Sequence, residues 1–219
     1  MPIDLPKPAL TVDVLVFSIL EGTLKVLLIR RKNPPFAGCW AVPGGFVDSG
    51  ETPREAALRE LEEETSVSGV EIREFGAFGD PGRDPRGWTV SITYFALVSG
   101  ERVTVRGGDD AAEAGWHAAE RPPMLAFDHA EILAQGVESL RKAALADAAV
   151  APLLPAAFSW AQLCGVYEII FAKRLDRRRL RRVLLSSGLI QRSRGGSGKT
   201  GYRFERRGLL ERFCWPKTE

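Results

Sequence analysis

Residues 45–67, Gly-Phe-Val-Asp-Ser-Gly-Glu-Thr-Pro-Arg-Glu-Ala-Ala-Leu-Arg-Glu-Leu-Glu-Glu-Glu-Thr-Ser-Val, run a glycine loop straight into a helix that carries clustered carboxylates. Thr52 and Glu55 have the spacing of a capping box, and Pro53 stands at the first helical position, where its missing N–H is harmless. Glu60 and Glu64 are four residues apart, so they stack on one face about 6 Å apart along the axis, with Glu63 beside them. Three carboxylates that close repel unless a cation sits among them. Hard cations such as Mg²⁺ take oxygen ligands and usually bring phosphates into the same coordination sphere. Ala57 and Leu61 lie on another side and suit packing on a sheet, while Arg59 can pair with Glu51 and fasten the loop to the helix. The Gly44-Gly45 backbone can approach a metal closely, because glycine permits it. A solvated acidic face is the usual fate of a charge run. The fixed offsets of Gly45, Glu51, Arg59, Glu60, Glu63 and Glu64 argue against it here.

This stretch resembles the Nudix box: Gly, five residues, Glu, seven residues, then Arg-Glu-apolar-any-Glu-Glu-any-Gly-apolar. One position departs, Ser66 standing where the family has its last Gly; the departure bears on the helix exit and removes no ligand. The resemblance implies a Mg (or Mn) site formed by Gly45, Glu60, Glu63 and Glu64, acting on nucleoside diphosphates. The segment Gly79–Gly87 is similar to the Asp-Pro-Gly-Arg-Asp-Pro-Arg-Gly stretch of ADP-ribose pyrophosphatases within that family, which implies substrate-binding roles for Arg83 and Arg86. Their fork-shaped donors suit phosphate or ribose oxygens. Asp109-Asp110-Ala-Ala-Glu113-Ala-Gly-Trp116 resembles the late loop that supplies a general base, so Glu113 joins Glu60, Glu63 and Glu64 as an expected catalytic carboxylate. ADP-ribose would yield AMP and ribose 5-phosphate. Phe36 and Trp40 flank the loop before the box and suit either base stacking or the core, the core being the commoner fate. His117 and His129 sit alone, without metal-ligand spacing.

A 219-residue chain is long enough for two modest domains, and charge divides it accordingly. Residues 151–219 hold 15 Lys+Arg against 5 Asp+Glu, net +10; residues 1–150 hold 15 against 23, net −8. Apolar, β-branched runs at Thr11–Phe17 and Leu24–Arg31 predict a hairpin, Val70–Phe78, Trp88–Leu97 and Val103–Val105 predict strands, and Asp128–Ala144 predicts a helix. Together they describe a mixed α/β sandwich. Residues 148–157, small and proline-containing, read as a linker between a first domain over 1–147 and a second over 158–219. Cys39, Cys164 and Cys214 are too scattered for a disulfide framework and fit a reducing compartment. With no signal-peptide pattern and no membrane-length apolar run, a cytoplasmic protein is expected.

Beyond the linker, Ser159 and Gln162 form another capping box, with Leu163, Val166, Tyr167 and Ile170 on the buried side of the helix they open. Asp176 caps a second helix whose Leu180, Val183 and Leu184 face inward under Arg177, Arg178, Arg179, Arg181 and Arg182. Short strands at Leu189–Arg192 and Tyr202–Phe204 bracket a glycine-rich basic tip carrying Arg194 and Lys199. Helix, turn, basic helix and hairpin in that order make a winged helix, whose second helix enters the major groove while the wing reaches the backbone. Double-stranded DNA is the expected partner of these seven cations; docking onto the acidic first domain is the alternative. Gly198-Lys199-Thr200 is no phosphate loop, since a strand rather than a helix follows it. The run from Phe158 to Leu189 is similar to the C-terminal domain of Nudix-related transcriptional regulators of NAD metabolism. That resemblance implies a homodimer that senses ADP-ribose and binds palindromic operators. Some such regulators have a degenerate box; this one is intact.

Overall fold

The computed structural model describes residues 6–100, 111–194 and 200–205, which fall into two units, residues 1–137 and 138–219. In the first unit a mixed sheet is built on β1 (Ala9–Leu20), which pairs antiparallel with β2 (Thr23–Arg31) and parallel with β6 (Thr89–Leu97). The short β3 (Trp40–Ala41) and β7 (Ala111–Ala118) both pair with β2, β4 (Gly44–Phe46) pairs with β1, and β5 (Ile72–Phe78) pairs with β6. The turn between β1 and β2 places Glu21 and Gly22 at positive φ, the conformation a two-residue hairpin turn requires.

Residues 11–18 of β1 are all buried, because helices cover both faces of the sheet. Alternation sorts them: Val12, Val14 and Val16 pack with Ala56, Ala57 and Leu61 of α1 (Pro53–Thr65), while Leu15 faces α2 (His129–Ala146). There a Cβ on Gly136 would stand 2.0 Å from Leu15, so only glycine lets this helix lie so close. Helix α1 begins as expected: Thr52 and Glu55 form the reciprocal capping box with Pro53 behind it. It ends on Ser66 in the left-handed conformation at φ 60°, where the Ser66 N–H still closes the last turn onto Glu62 O at 2.8 Å.

The second unit holds the later part of α2, then α3 (Trp160–Ile170), α4 (Arg177–Ser186) and the hairpin of β8 (Ile190–Arg194) and β9 (Thr200–Phe204). A single-residue bridge from Phe158 to Tyr202 adds a third edge to the hairpin. Leu163, Cys164, Tyr167 and Ile170 of α3 join Leu180, Leu184, Leu189 and Ile190 in its buried set. Tyr167 donates its hydroxyl to Ala144 O at 2.6 Å, so its buried polar atom is satisfied. This is a winged helix-turn-helix following an α/β/α sandwich. The two units divide inside α2, earlier than the expected linker, and residues 151–153 of that linker form a 3₁₀ turn. Two expectations differ in kind: Glu113 lies on strand β7 instead of a loop, and β3, β4 and β7 were not foreseen. Val103–Val105, Asp109, Asp110 and Lys199 lie outside the described residues, as does the Arg194 side chain.

Candidate functional site

Helix α1 presents its acids around a single arginine. Arg59 grips Glu51 with two nitrogens, Nη2 to Oε1 at 2.7 Å and Nε to Oε2 at 3.2 Å. Its Nη1 donates to Glu60 at 2.8 Å and to Glu63 at 3.2 Å, and Nη2 reaches Phe46 O at 3.1 Å. The loop is thereby tied to the helix. Burial raises the Glu60 pKa, with the Arg59 hydrogen bond opposing it. Glu64 lies deeper, and burial pushes its pKa up to about 8 although the Gly44 N–H donates to it at 2.9 Å. Glu63 projects outward.

Opposite these acids stands the turn into β4. A Cβ on Gly45 would fall 2.2 Å from Glu60 Oε1, and one on Gly44 would fall 2.0 Å from Val12 O. Only a bare backbone can lie between the acid helix and strand β1 at both positions. A cleft of about 280 Å³ opens here, with Glu60, Glu64, Gly44 and Gly45 on one side and Arg31, Lys32 and Arg86 on another. Anionic oxygens and cationic forks thus share one space, which suits a phosphate ligand with its counter-cation. The Arg86 guanidinium lies over Phe46 at 5.0 Å and Phe127 at 5.6 Å, and Arg31 over Phe127 at 4.8 Å. Phe36 meets Phe127 edge-on at 4.8 Å and stays 42% exposed, whereas Trp40 is half-buried against His117.

Beneath the turn lies a buried polar network that sequence reasoning missed. Asp13 of β1 accepts from Ser91 and lies 3.5 Å from Arg83 and 3.4 Å from His129 Nε2. Arg83 makes a bidentate pair with Asp128, at 2.7 and 2.8 Å. His129 Nδ1 accepts the Val42 N–H at 2.9 Å, so its proton sits on Nε2, facing Asp13. Burial holds its pKa below the usual histidine range. Asp13 and His129 line a smaller adjoining cavity of about 50 Å³. An acid in the middle of an apolar strand is the signal that marks such a network, and the run Thr11–Phe17 contains Asp13. Arg83 is 5% exposed in its side chain and absent from the larger cleft, whereas Arg86 lines it. Glu113 lies opposite Arg30, 3.9 Å away, and lines neither cavity.

In the second unit α4 carries its arginines outward over buried Leu180 and Leu184. Asp176 accepts from the Arg178 and Arg179 N–H groups, capping the helix. Arg177 pairs with Glu168 at 2.8 Å, and Arg181 lies over Trp160 and Tyr202, which ties the helix to α3 and the hairpin. Arg178, Arg179 and Arg182 are exposed.

The NUDIX domain model matches residues 9–136 of this chain. The chain belongs to the Nudix family. Across 86% of its length this Nudix chain is 34% identical to the ADPR-responsive transcriptional repressor NtrR of Acinetobacter baylyi, spanning 76% of that protein. It is 45% identical over 126 residues to the ADP-ribose pyrophosphatase of Methanocaldococcus jannaschii, which covers 58% of this chain and 71% of that enzyme. Among solved structures, Shewanella oneidensis NrtR superimposes with a TM-score of 0.76 at 31% identity, covering 90% of this chain and 94% of that one. The same regulator has been solved with a 27mer DNA, and its NUDIX domain with ADP ribose.

Nudix hydrolases generally use a divalent metal ion. In this Nudix chain the donors fit one by their chemistry: carboxylate oxygens, those of Glu60 and Glu64 held in burial that favours a cation beside them. Among the described residues no three His, Cys, Asp or Glu side chains are grouped so as to hold a metal ion by themselves, and Arg59 bridges Glu60 and Glu63. No helix among the described residues is long and apolar enough to cross a membrane.

Proposed function

We propose that this protein is an ADP-ribose-responsive, DNA-binding regulator of NAD metabolism whose Nudix domain also hydrolyses ADP-ribose with Mg²⁺. One observation carries the reading: a single chain holds both the acid-and-arginine cleft and an arginine-faced helix in a winged helix-turn-helix. Likeness to NrtR over 90% of the chain supports the pairing, since that protein has been solved with DNA and its NUDIX domain with ADP ribose.

In the cleft, Arg86 and Arg31 grip the diphosphate, and the exposed Phe46 offers an apolar face to the rest of the nucleotide. Gly45, Glu60, Glu63 and Glu64 would hold the cation, which offsets the diphosphate charge and acidifies a water. Arg59 fixes the approach of the loop to the helix. Glu60 and Glu64 border the diphosphate site, where a carboxylate takes the proton as water attacks phosphorus. Glu113, 3.9 Å from Arg30 on β7, has no such position among the described residues. In the second unit Arg177, Arg178, Arg179, Arg181 and Arg182 meet the DNA, with Arg194 and Lys199 at the wing, and a homodimer presents two such units to a palindrome.

The intact glutamate set favours a second reading, an ADP-ribose pyrophosphatase whose C-terminal unit serves dimerisation or docking; the similarity to the M. jannaschii enzyme supports it. A DNA titration with and without ADP-ribose, beside phosphate-coupled turnover in Mg²⁺, separates the two. Salt-sensitive DNA binding released by ADP-ribose is expected of the regulator. Turnover with no DNA binding would leave only the enzyme.

A further inference from the structure

The two arginines of the 79–87 segment stand in different surroundings. Arg86 is exposed and lines the larger cleft; the Arg83 side chain is 5% exposed, pairs with Asp128 and Asp13, and of the two cavities lines only the smaller adjoining one of about 50 Å³. Its Nη1 is also 3.4 Å from Thr89 Oγ1. Its Nε and Nη2 edge, the fork that would grip a phosphate, is committed to Asp128.

What Arg83 does hold is the floor under the glycine turn. Asp13 is the register partner of Gly44, and its carboxylate oxygen would lie 3.0 Å from a Cβ there. His129, steered by Asp13, fixes the Val42 N–H; the Val14 N–H fixes Pro43 O at 2.9 Å; and Glu64 accepts from Gly44. Residues 42–45 are thus suspended from β1 on one side and from the acid helix on the other. Among the described residues His129, at the start of α2, is the side chain that holds the Val42 N–H, and its ring faces Asp13, which Arg83 also meets while pairing with Asp128. Removing one link leaves a buried charge short of its partner, which costs more than the link contributes.

We infer that Arg83 and His129 are positioning residues that set the Gly44-Gly45 backbone against Glu60 and Glu64, and that the ligand-facing role in their segment belongs to Arg86 alone. The inference deepens the proposed hydrolysis and rests on it for its kinetic half. Its structural half stands on the network by itself.

The test uses the full-length protein and the variants Arg83→Lys, His129→Asn and Arg86→Gln, with Ser91→Ala as a milder cut into the same network. Amide hydrogen exchange, without nucleotide or metal, reads the Val42 and Gly44 N–H groups. Exchange there should quicken about tenfold or more in Arg83→Lys and Ser91→Ala and stay unchanged in Arg86→Gln. His129→Asn, which keeps an acceptor for Val42, should fall between Arg83→Lys and the parent. With ADP-ribose and Mg²⁺, Arg83→Lys should lower kcat roughly ten- to hundredfold with KM little changed, because a small misplacement of the reacting groups is enough. Arg86→Gln should instead raise KM about tenfold or more. Unchanged exchange in both Arg83→Lys and Ser91→Ala, or a rise in KM for Arg83→Lys matching that of Arg86→Gln, overturns the inference. If the parent protein turns over no ADP-ribose, the proposed activity has failed, and exchange alone then decides the positioning role. Should Arg83→Lys fail to fold, Ser91→Ala carries the same comparison.

Discussion

The Glu60 carboxylate occupies the space that a side chain on Gly45 would need, its Oε1 lying 2.2 Å from the position of a Cβ there. Loop backbone and helix acid are fitted to each other at a distance only glycine allows. Gly45→Ala should therefore fold, since this residue is not among those at positive φ, yet force Glu60 aside. Mg²⁺-dependent turnover of ADP-ribose should drop by about a hundredfold or more, as a misplacement near 1 Å can cause. Turnover within twofold of the parent, with an unchanged circular dichroism spectrum, would rule out this contact as part of the site.

Ser66 closes α1 in the left-handed conformation, which costs a non-glycine residue about 1–2 kcal/mol. It is exposed, and its hydroxyl makes no hydrogen bond among those described. Ser66→Gly should raise stability by about 1 kcal/mol, read as a higher urea midpoint at constant slope.

Two buried groups give stability opposite dependences on pH in the metal-free protein. Glu64, pushed up to about 8, keeps its proton in the folded state where the unfolded chain has lost it. Its contribution is complete below the ordinary value of 4.5 and is lost as pH rises through about 8, by a few kcal/mol at most. His129 has a lowered pKa, so its contribution is complete above about 6.5 and is lost as pH falls below that. Urea unfolding across this range should show Glu64→Gln flattening the alkaline loss and His129→Asn flattening the acid one.

Arg178 and Arg182 are exposed on α4. If they grip phosphates, Arg178→Ala with Arg182→Ala should weaken DNA binding on every sequence and reduce the slope of log K against log salt by about 2. An unchanged slope in a fluorescence-anisotropy titration would move the DNA interface off this helix.

Losing the cap should act on stability instead. Asp176 accepts from two backbone N–H groups, each at 3.0 Å. Asp176→Ala should cost about 1 kcal/mol and lower the thermal midpoint, with the salt slope of any remaining DNA complex preserved.

Local chemistry was legible in the chain itself. Thr52 with Glu55, Ser159 with Gln162 and Asp176 are caps that act within three residues, and all three form as spaced. The stacking of Glu60 on Glu64 follows from helical periodicity, and the pairing of Arg59 with Glu51 spans only the loop and the first two turns of the same helix, so neither needs a partner element. The winged helix was readable for the same reason, being a series of capped helices and a hairpin. Strands β3 and β4 were not, because two or three residues carry too little periodicity and gain their hydrogen bonds only from β1 and β2; nor was the eight-residue β7, whose Ala-Ala-Glu-Ala-Gly-Trp-His-Ala run has no β-branched residue and is held as a strand by its pairing with β2. Nor could spacing separate Arg83 from Arg86. They lie three residues apart in one turn-rich segment, and what divides them is Asp13 and Asp128, 70 and 45 positions away, which the fold brings to one arginine and withholds from the other. Sequence alone determined which residues could do chemistry, since that depends on side-chain type and short-range geometry. Tertiary structure decided which of them are buried and satisfied and which stay open to a ligand, since burial and long-range pairing are properties of the packed sheet and helices.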